Sequence, residues 1–278
     1  MLSILIVGGL TIDRFADGRR APGGSVIHAG LAAVADGAEV ATLTVAGPEP
    51  EADDGRAQLG AVGTLHAAAA PATTTYAHGE VDGRRTLVLE AAGGRVPADP
   101  SAVGHPDVIL FAPIADELSA SAVSAICEAA DPGVTAFLIQ GWLRHLAVGD
   151  VARPLRLDAV SDDVWRISAA GDLVVVSNED LAEAPDDPFA LAAAIRPRIG
   201  PRPVLVLTLG SEGYLLDDPR ADRITATVPR RVVRGVPTVG AGDTFGVVMA
   251  LRLAAGAPPT SAADAGTDAV IGLLESRR

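Results

Sequence analysis

Two patterns alternate along this chain, and their alternation limits the folds open to it. Short continuous runs of β-branched and aliphatic residues are separated by alanine-rich stretches with helical spacing. The runs predict strands over residues 4–8, 40–45, 108–112, 135–139, 173–177 and 204–209. The stretches between predict helices near 25–35, 120–130, 160–169, 188–199 and 241–254. Strands apolar on both faces and separated by helices predict a parallel sheet covered on both sides. The expected class is therefore α/β, doubly wound, with a mostly parallel central sheet. Such sheets take ligands outside the carboxyl ends of their strands. With 278 residues, 49% of them hydrophobic, the chain can bury a large core as a single domain spanning 1–278.

One region departs from the alternation. Residues 73–91 read as two strand-like runs around the turn Asp82-Gly83, a hairpin inserted into an α/β chain and a candidate small β lid. A second hairpin is expected after Gly213, around Asp217-Asp218-Pro219.

Charge and residue usage exclude several functions. The formal charge is −13, and no Lys/Arg-rich run offers a nucleic-acid phosphate face. Aromatic residues make up 3%, too few for a base-stacking surface. The acidity reads as solubility or as preference for a cationic substrate. The sequence contains no lysine, so a Walker loop, the strand lysine of protein kinases and Schiff-base chemistry are all excluded. If the protein handles phosphate, it must hold it with helix N-termini, arginine and a metal ion. Cys127 is the only cysteine and lies in an expected amphipathic helix, where it reads as a small buried hydrophobe. No apolar stretch approaches a membrane span and the first residues lack the pattern of a secretory signal, so the expectation is a cytoplasmic protein with no nucleic-acid or membrane partner.

The segment with the clearest chemistry is Gly240-Ala241-Gly242-Asp243, which leads into a helix. Small residues there expose unpaired backbone N–H groups at the positive end of the helix dipole, a ready anion site. Asp243 adds a carboxylate beside it, and on this segment alone it reads equally as a helix-start residue.

Gly240-Ala241-Gly242-Asp243 resembles the signature of the ribokinase-like (PfkB-type) carbohydrate and nucleoside kinases. Three further segments resemble that family in the same order: Gly8-Gly9-Leu10-Thr11-Ile12-Asp13, Pro22-Gly23-Gly24 with His28, and Thr208-Leu209-Gly210 with Gly213. The resemblance implies an ATP-dependent kinase acting on a hydroxyl of a small polyol, sugar or nucleoside, with Mg²⁺. It implies Asp243 as the general base, with Gly240, Ala241 and Gly242 holding the transferred phosphoryl group. Asp13, Gly23 and Gly24 would bind the acceptor, as would His28, which stands where many relatives have asparagine. Thr208, Gly210 and Gly213 would contact the nucleotide. Gln140 and Arg144, in Gln140-Gly141-Trp142-Leu143-Arg144, resemble short-lid, inositol-kinase-like members and would also face the acceptor or its phosphate.

The chain departs from the family pattern at Pro237, Val239 and Ser177-Asn178-Glu179-Asp180. In the last segment Asp180 and Glu179 are the candidate metal-side carboxylates and Asn178 a candidate nucleotide contact; Asp180 is expected to act through water. These departures leave a catalytically degenerate ligand-binding relative as the alternative. Only 35 residues follow Asp243, so a short adenine-side wall is expected. The expected assembly is a monomer or homodimer.

Overall fold

The structure is a computed structural model that describes residues 1–81, 84–221 and 223–278. The turn expected at Asp82-Gly83 lies outside the described residues. A nine-stranded sheet runs in the order β16 (Arg223–Thr227), β15 (Tyr214–Asp218), β14 (Val204–Thr208), β12 (Leu173–Ser177), β9 (Val134–Leu138), β8 (Val108–Phe111), β1 (Ser3–Val7), β4 (Glu39–Ala46) and β5 (Thr64–Ala69). In this sheet β15 pairs antiparallel with both β14 and β16, its partner in the expected second hairpin, and the other pairings are parallel.

Each parallel strand is apolar on both sides because both sides are covered. Along β1, Ile4 and Ile6 point into one core while Leu5 and Val7 point into the other. The first core is closed by α1 (Ser25–Ala35), α2 (Pro50–Val62), α6 (Ala241–Ala254) and α7 (Pro259–Glu275), through residues such as Val26, Leu59, Met249 and Ala262. The second is closed by α3 (Ala120–Ala130), α4 (Asp162–Ala169) and α5 (Pro188–Ile199), through Ile126, Trp165 and Ile195. Cys127, in α3, is half-buried, and burial pushes its thiol up to about 11.

The chain lays down β1, β4 and β5 in one direction and then returns to β8 on the other side of β1. The topological switch point thus falls between β1 and β8, where open α/β sheets open a crevice for ligands.

A second, four-stranded sheet has the order β3 (Arg20–Gly23), β2 (Thr11–Arg14), β6 (Thr74–Val81) and β7 (Arg84–Ala91). The hairpin expected over 73–91 forms its outer half. Its inner half comes from β2 and β3, short strands that the apolar pattern does not predict. The central strand ends at Val7, so Asp13 stands on the small sheet. A three-stranded sheet of β10 (Arg144–His145), β11 (Arg153–Arg156) and β13 (Leu181–Ala182) lies beyond β9 and β12. Helices α2 and α7 and strand β5 were not expected. The first and last are polar or small-residue segments without strong periodicity, and α7 is built largely of alanine, glycine, threonine and serine.

Candidate active site

A cavity of about 830 Å³ lies at the carboxyl ends of the central strands, between the small sheet and the start of α6. Its lining includes Asp13, Gly24, His28, Gln140, Arg144, Asn178, Glu179, Asp180, Thr208, Gly210, Gly213 and the run Gly240–Asp243. Segments far apart in the chain meet there because each directly follows or faces a strand end. Gly23 is the one expected site residue outside the lining, and it lies beneath Asp13: a Cβ at position 23 would fall 2.6 Å from Asp13 Oδ2.

Helix α6 starts without a side-chain cap. Gly240 sits at its N-cap with φ 80°, a left-handed conformation that favours glycine. A side chain there would also strike His28, whose Cγ would be 2.5 Å from the added Cβ. The Ala241 amide donates to Thr238 O and the Thr244 amide to Gly240 O. Among the described residues no backbone acceptor takes the Gly242 and Asp243 amides, which remain to meet an anion. Two carbonyls of the preceding loop, those of Pro237 and Val239, accept from Arg277 Nη1 at 2.7 and 2.8 Å. The end of the chain thereby braces the two positions at which the signature departs from the family pattern.

Asp13 is held on several sides. Its Oδ1 lies 3.5 Å from Thr11 Oγ1 and 3.3 Å from His78 Nε2. Gly24, at the N-cap of α1 with φ 99°, lets the loop after β1 pass closely: a Cβ there would fall 2.5 Å from Gly9 O. Glu117, buried and far from any expected site residue in sequence, ties the exit of β1 to that of β8. Its Oε1 accepts from the Gly9 and Ile114 amides and its Oε2 from the Ala115 amide, each at 2.8 Å. Burial pushes its carboxyl upward, opposed by these amide bonds.

On the neighbouring wall, Asp180 is buried and has both oxygens engaged. Oδ1 accepts from Gln140 Nε2 at 3.0 Å and Oδ2 from the Ser177 amide at 2.8 Å, while burial raises its carboxyl above the usual range. Asp180 thereby holds the turn, and Glu179 stands exposed beside it. The Asn178 amide donates to Thr208 O at 3.1 Å, joining the turns after β12 and β14. Among the described residues Arg144 Nη1 is buried without a hydrogen-bond partner, and the arginine's charge favours the ionised form of Asp180. Among the described residues no three His, Cys, Asp or Glu side chains form a ready metal cage.

Sequence reasoning missed His78, Leu87, Glu117 and Arg277. None sits in a motif, and only the first two line the cavity.

No family model matches the sequence, and neither does any curated protein. Solved structures do match. A pyrophosphate-dependent kinase in the ribokinase family, complexed with a pyrophosphate analog and myo-inositol, superposes with TM-score 0.75 at 16% identity over 95% of this chain and 92% of that one. Ribokinase from Arabidopsis thaliana, complexed with ribose and ATP, gives 0.71 at 15% identity over 99% of each chain. Fructokinase from Vibrio cholerae gives 0.69 at 18% identity over the full length of both. This is the ribokinase-like fold. In it, the small sheet covers the crevice at the β1/β8 switch point. Among the described residues no helix is long and apolar enough to cross a membrane.

Proposed function

We propose that the chain transfers the γ-phosphoryl group of ATP to a hydroxyl of a small polyol, sugar or nucleoside. The observation that supports this most is the meeting, in one cavity, of Asp13 from the small sheet with the uncapped amides that lead into Asp243. In this mechanism the acceptor oxygen attacks the γ-phosphorus in line and its proton passes to Asp243. The bond from phosphorus to the bridging oxygen breaks, and ADP leaves with the electron pair. The Gly242 and Asp243 amides, at the positive end of α6, stabilise the charge on the transferring oxygens. Asp13, Gly24, His28 and Gln140 orient the acceptor, with Arg144 next to them. Thr208, Gly210, Gly213 and Asn178 seat the donor.

Magnesium fits the residues present, since it needs only one or two carboxylates beside the donor's own phosphates. Glu179 and Asn178 would hold it, and when bound it neutralises phosphate charge. The small sheet serves as a lid in this reading, and the whole chain as one kinase domain.

A second reading concerns the donor. Three of the structural neighbours are described as pyrophosphate-dependent. Against this, Val232, Val233, Val270, Ile271 and Leu274 give the cavity an apolar end suited to a nucleoside. ATP and pyrophosphate are to be compared with myo-inositol, ribose, fructose, adenosine and an aminocyclitol as acceptors. ADP formation supports the first reading, orthophosphate formation from pyrophosphate the second, and binding without turnover of either donor a degenerate relative. Asp243→Asn is expected to lower kcat by about 10²–10⁴-fold with donor affinity by calorimetry unchanged. Undiminished turnover would remove Asp243 as the base.

A further inference from the structure

A second groove, of about 650 Å³, lies at the edge of the central sheet. Its walls include Ala193, Pro197 and Gly200 at the end of α5, Asp217 of β15, and Arg223 and Ile224 of β16. Gly200 and Pro201 lead into the amino end of β14, whereas the cavity with Asp243 lies at the carboxyl ends of the strands. The groove exists because α5 covers two strands and stops short of the third. Arg196 ties α5 to β15, donating to Asp217 Oδ2 at 2.6 Å and to the Asp217 carbonyl at 3.0 Å. The core beneath α5 takes Leu205, Leu207 and Leu215 and, among the described residues, nothing from β16.

Strand β16 is the last of the sheet, and among the described residues no strand pairs with its outer edge. Such an edge offers N–H and C=O groups to a further strand. Its apolar side chains are bare as well. Among the described residues seven large hydrophobic side chains are exposed, and three flank this groove: Phe189 at 46%, Ile224 at 44% and Val228 at 73%. Phe189 stands one turn before Ala193 and two before Pro197 on one face of α5. Across from them, Ile224, Ala226 and Val228 alternate along β16 and just past its end. Charge gathers in the same corner. Residues 196–234 hold eight arginines and four acidic residues, in a chain whose formal charge is −13. Arg196 and Arg202 are paired with Asp217 and Asp172, and Arg198, Arg220, Arg223 and Arg230 stand exposed.

We propose that the β16 edge is a docking surface for a partner protein, and that it takes an extended segment in which apolar and acidic residues alternate. The segment adds to the sheet as a further strand, held by main-chain hydrogen bonds. Its apolar side chains fill the groove between α5 and β16, where Ile224 and Phe189 otherwise face water. Its acidic side chains lie on the other face, with Arg223, which alternates with Ile224, and with the exposed arginines of the rim. A second copy of this chain fits less well, because pairing two β16 edges would bring two arginine-rich rims together. The proposal is independent of the kinase reading, since none of these side chains takes part in it.

The test uses the full chain and an end-blocked peptide of alternating glutamate and valine, about eight residues long, an ordinary strand length. Peptides alternating lysine with valine and glutamate with serine are the controls, and a short oligodeoxythymidine is the nucleic-acid probe. Two double variants alter only exposed side chains: Arg220→Glu with Arg223→Glu, and Ile224→Ser with Val228→Ser. Hydrogen–deuterium exchange locates binding, fluorescence anisotropy of labelled peptide reads affinity, and sedimentation reads mass. The glutamate–valine peptide is expected to slow exchange of the outward amides of β16 by about tenfold or more, as pairing does for an edge amide. Each double variant is expected to weaken its binding by about tenfold, on the scale of two cross-strand pairs. Added salt is expected to weaken it in the wild type, and both control peptides to bind less tightly. Tighter binding of the lysine–valine peptide or of the oligonucleotide at these amides overturns the inference, as does affinity unchanged in both variants. A wild-type dimer that becomes a monomer in the Ile224→Ser, Val228→Ser variant also overturns it, because the edge then belongs to a second copy. Failure of the glutamate–valine peptide to protect β16 overturns it whatever the kinase assays show.

Discussion

Glu117 is 3% exposed, and its carboxylate receives three backbone amides from two separate strand exits. A buried carboxylate is costly unless its oxygens are satisfied, and here the amides of Gly9, Ile114 and Ala115 do this. The same bonds set the width of the crevice between β1 and β8. In Glu117→Gln the side-chain amide would point a donor at one of these N–H groups, leaving it unsatisfied. The expected loss is about 1–3 kcal/mol of stability, read from the midpoint of urea unfolding. Nothing in Ile114-Ala115-Asp116-Glu117-Leu118 separates Glu117 from its exposed neighbour Asp116 by sequence; the difference is burial. Asp243 is the opposite case, because glycines, a helix start and an acid within four residues already mark a candidate anion site in the sequence.

At the scale of elements, the start of α6 is shaped from both sides. His28 of α1 packs on Gly240, and Arg277, just beyond α7, takes the carbonyls of Pro237 and Val239. Helix α7 itself lies close to α6, since a Cβ on Gly266 would fall 2.8 Å from Phe245 O. The last helix thus completes one core, and Arg277 just beyond it steadies the loop before α6. Arg277→Ala removes two hydrogen bonds from that loop without touching Asp13 or His78. The expected outcome is a rise of about 3–10-fold in donor KM, on the scale of one or two net hydrogen bonds, with acceptor KM unchanged. Initial-rate kinetics varying each substrate in turn would check it, and an equal rise in both constants would argue for a general loss of structure instead.

For the whole molecule, the small sheet is docked rather than hanging free. Leu89 N donates to Asp150 O at 3.1 Å, Gly149 N to Leu89 O at 2.8 Å and Ala152 N to Leu87 O at 2.7 Å. Tyr76 adds its bond to Ile114 O from the other strand of the hairpin. Both edges of β7 are therefore paired, one with β6 and one with the segment from 149 to 152. Amides bonded in this way exchange only when the local structure opens. The Leu89 and Ala152 amides are expected to exchange slowly in the ligand-free protein, as measured by hydrogen–deuterium exchange. Exchange at the rate of an exposed loop would show that the sheet undocks readily.

The sequence by itself determined the layering and the signature. Strand and helix periods are local properties, so the central strands fell within a residue or two of their expected bounds, and α1, α3, α5 and α6 matched theirs. A glycine-rich turn into a helix is local too, and it marked Gly240–Asp243. Tertiary structure alone decided which side chains share the crevice and what each is free to do. Asp13 proved to stand on the small sheet beside His78, Asp180 to have both oxygens engaged, and Glu117 and Arg277 to hold the walls from outside any motif. The physical reason is common to all four. Burial and pairing between residues distant in the chain depend on how the layers pack, and neither periodicity nor motif spacing carries that information.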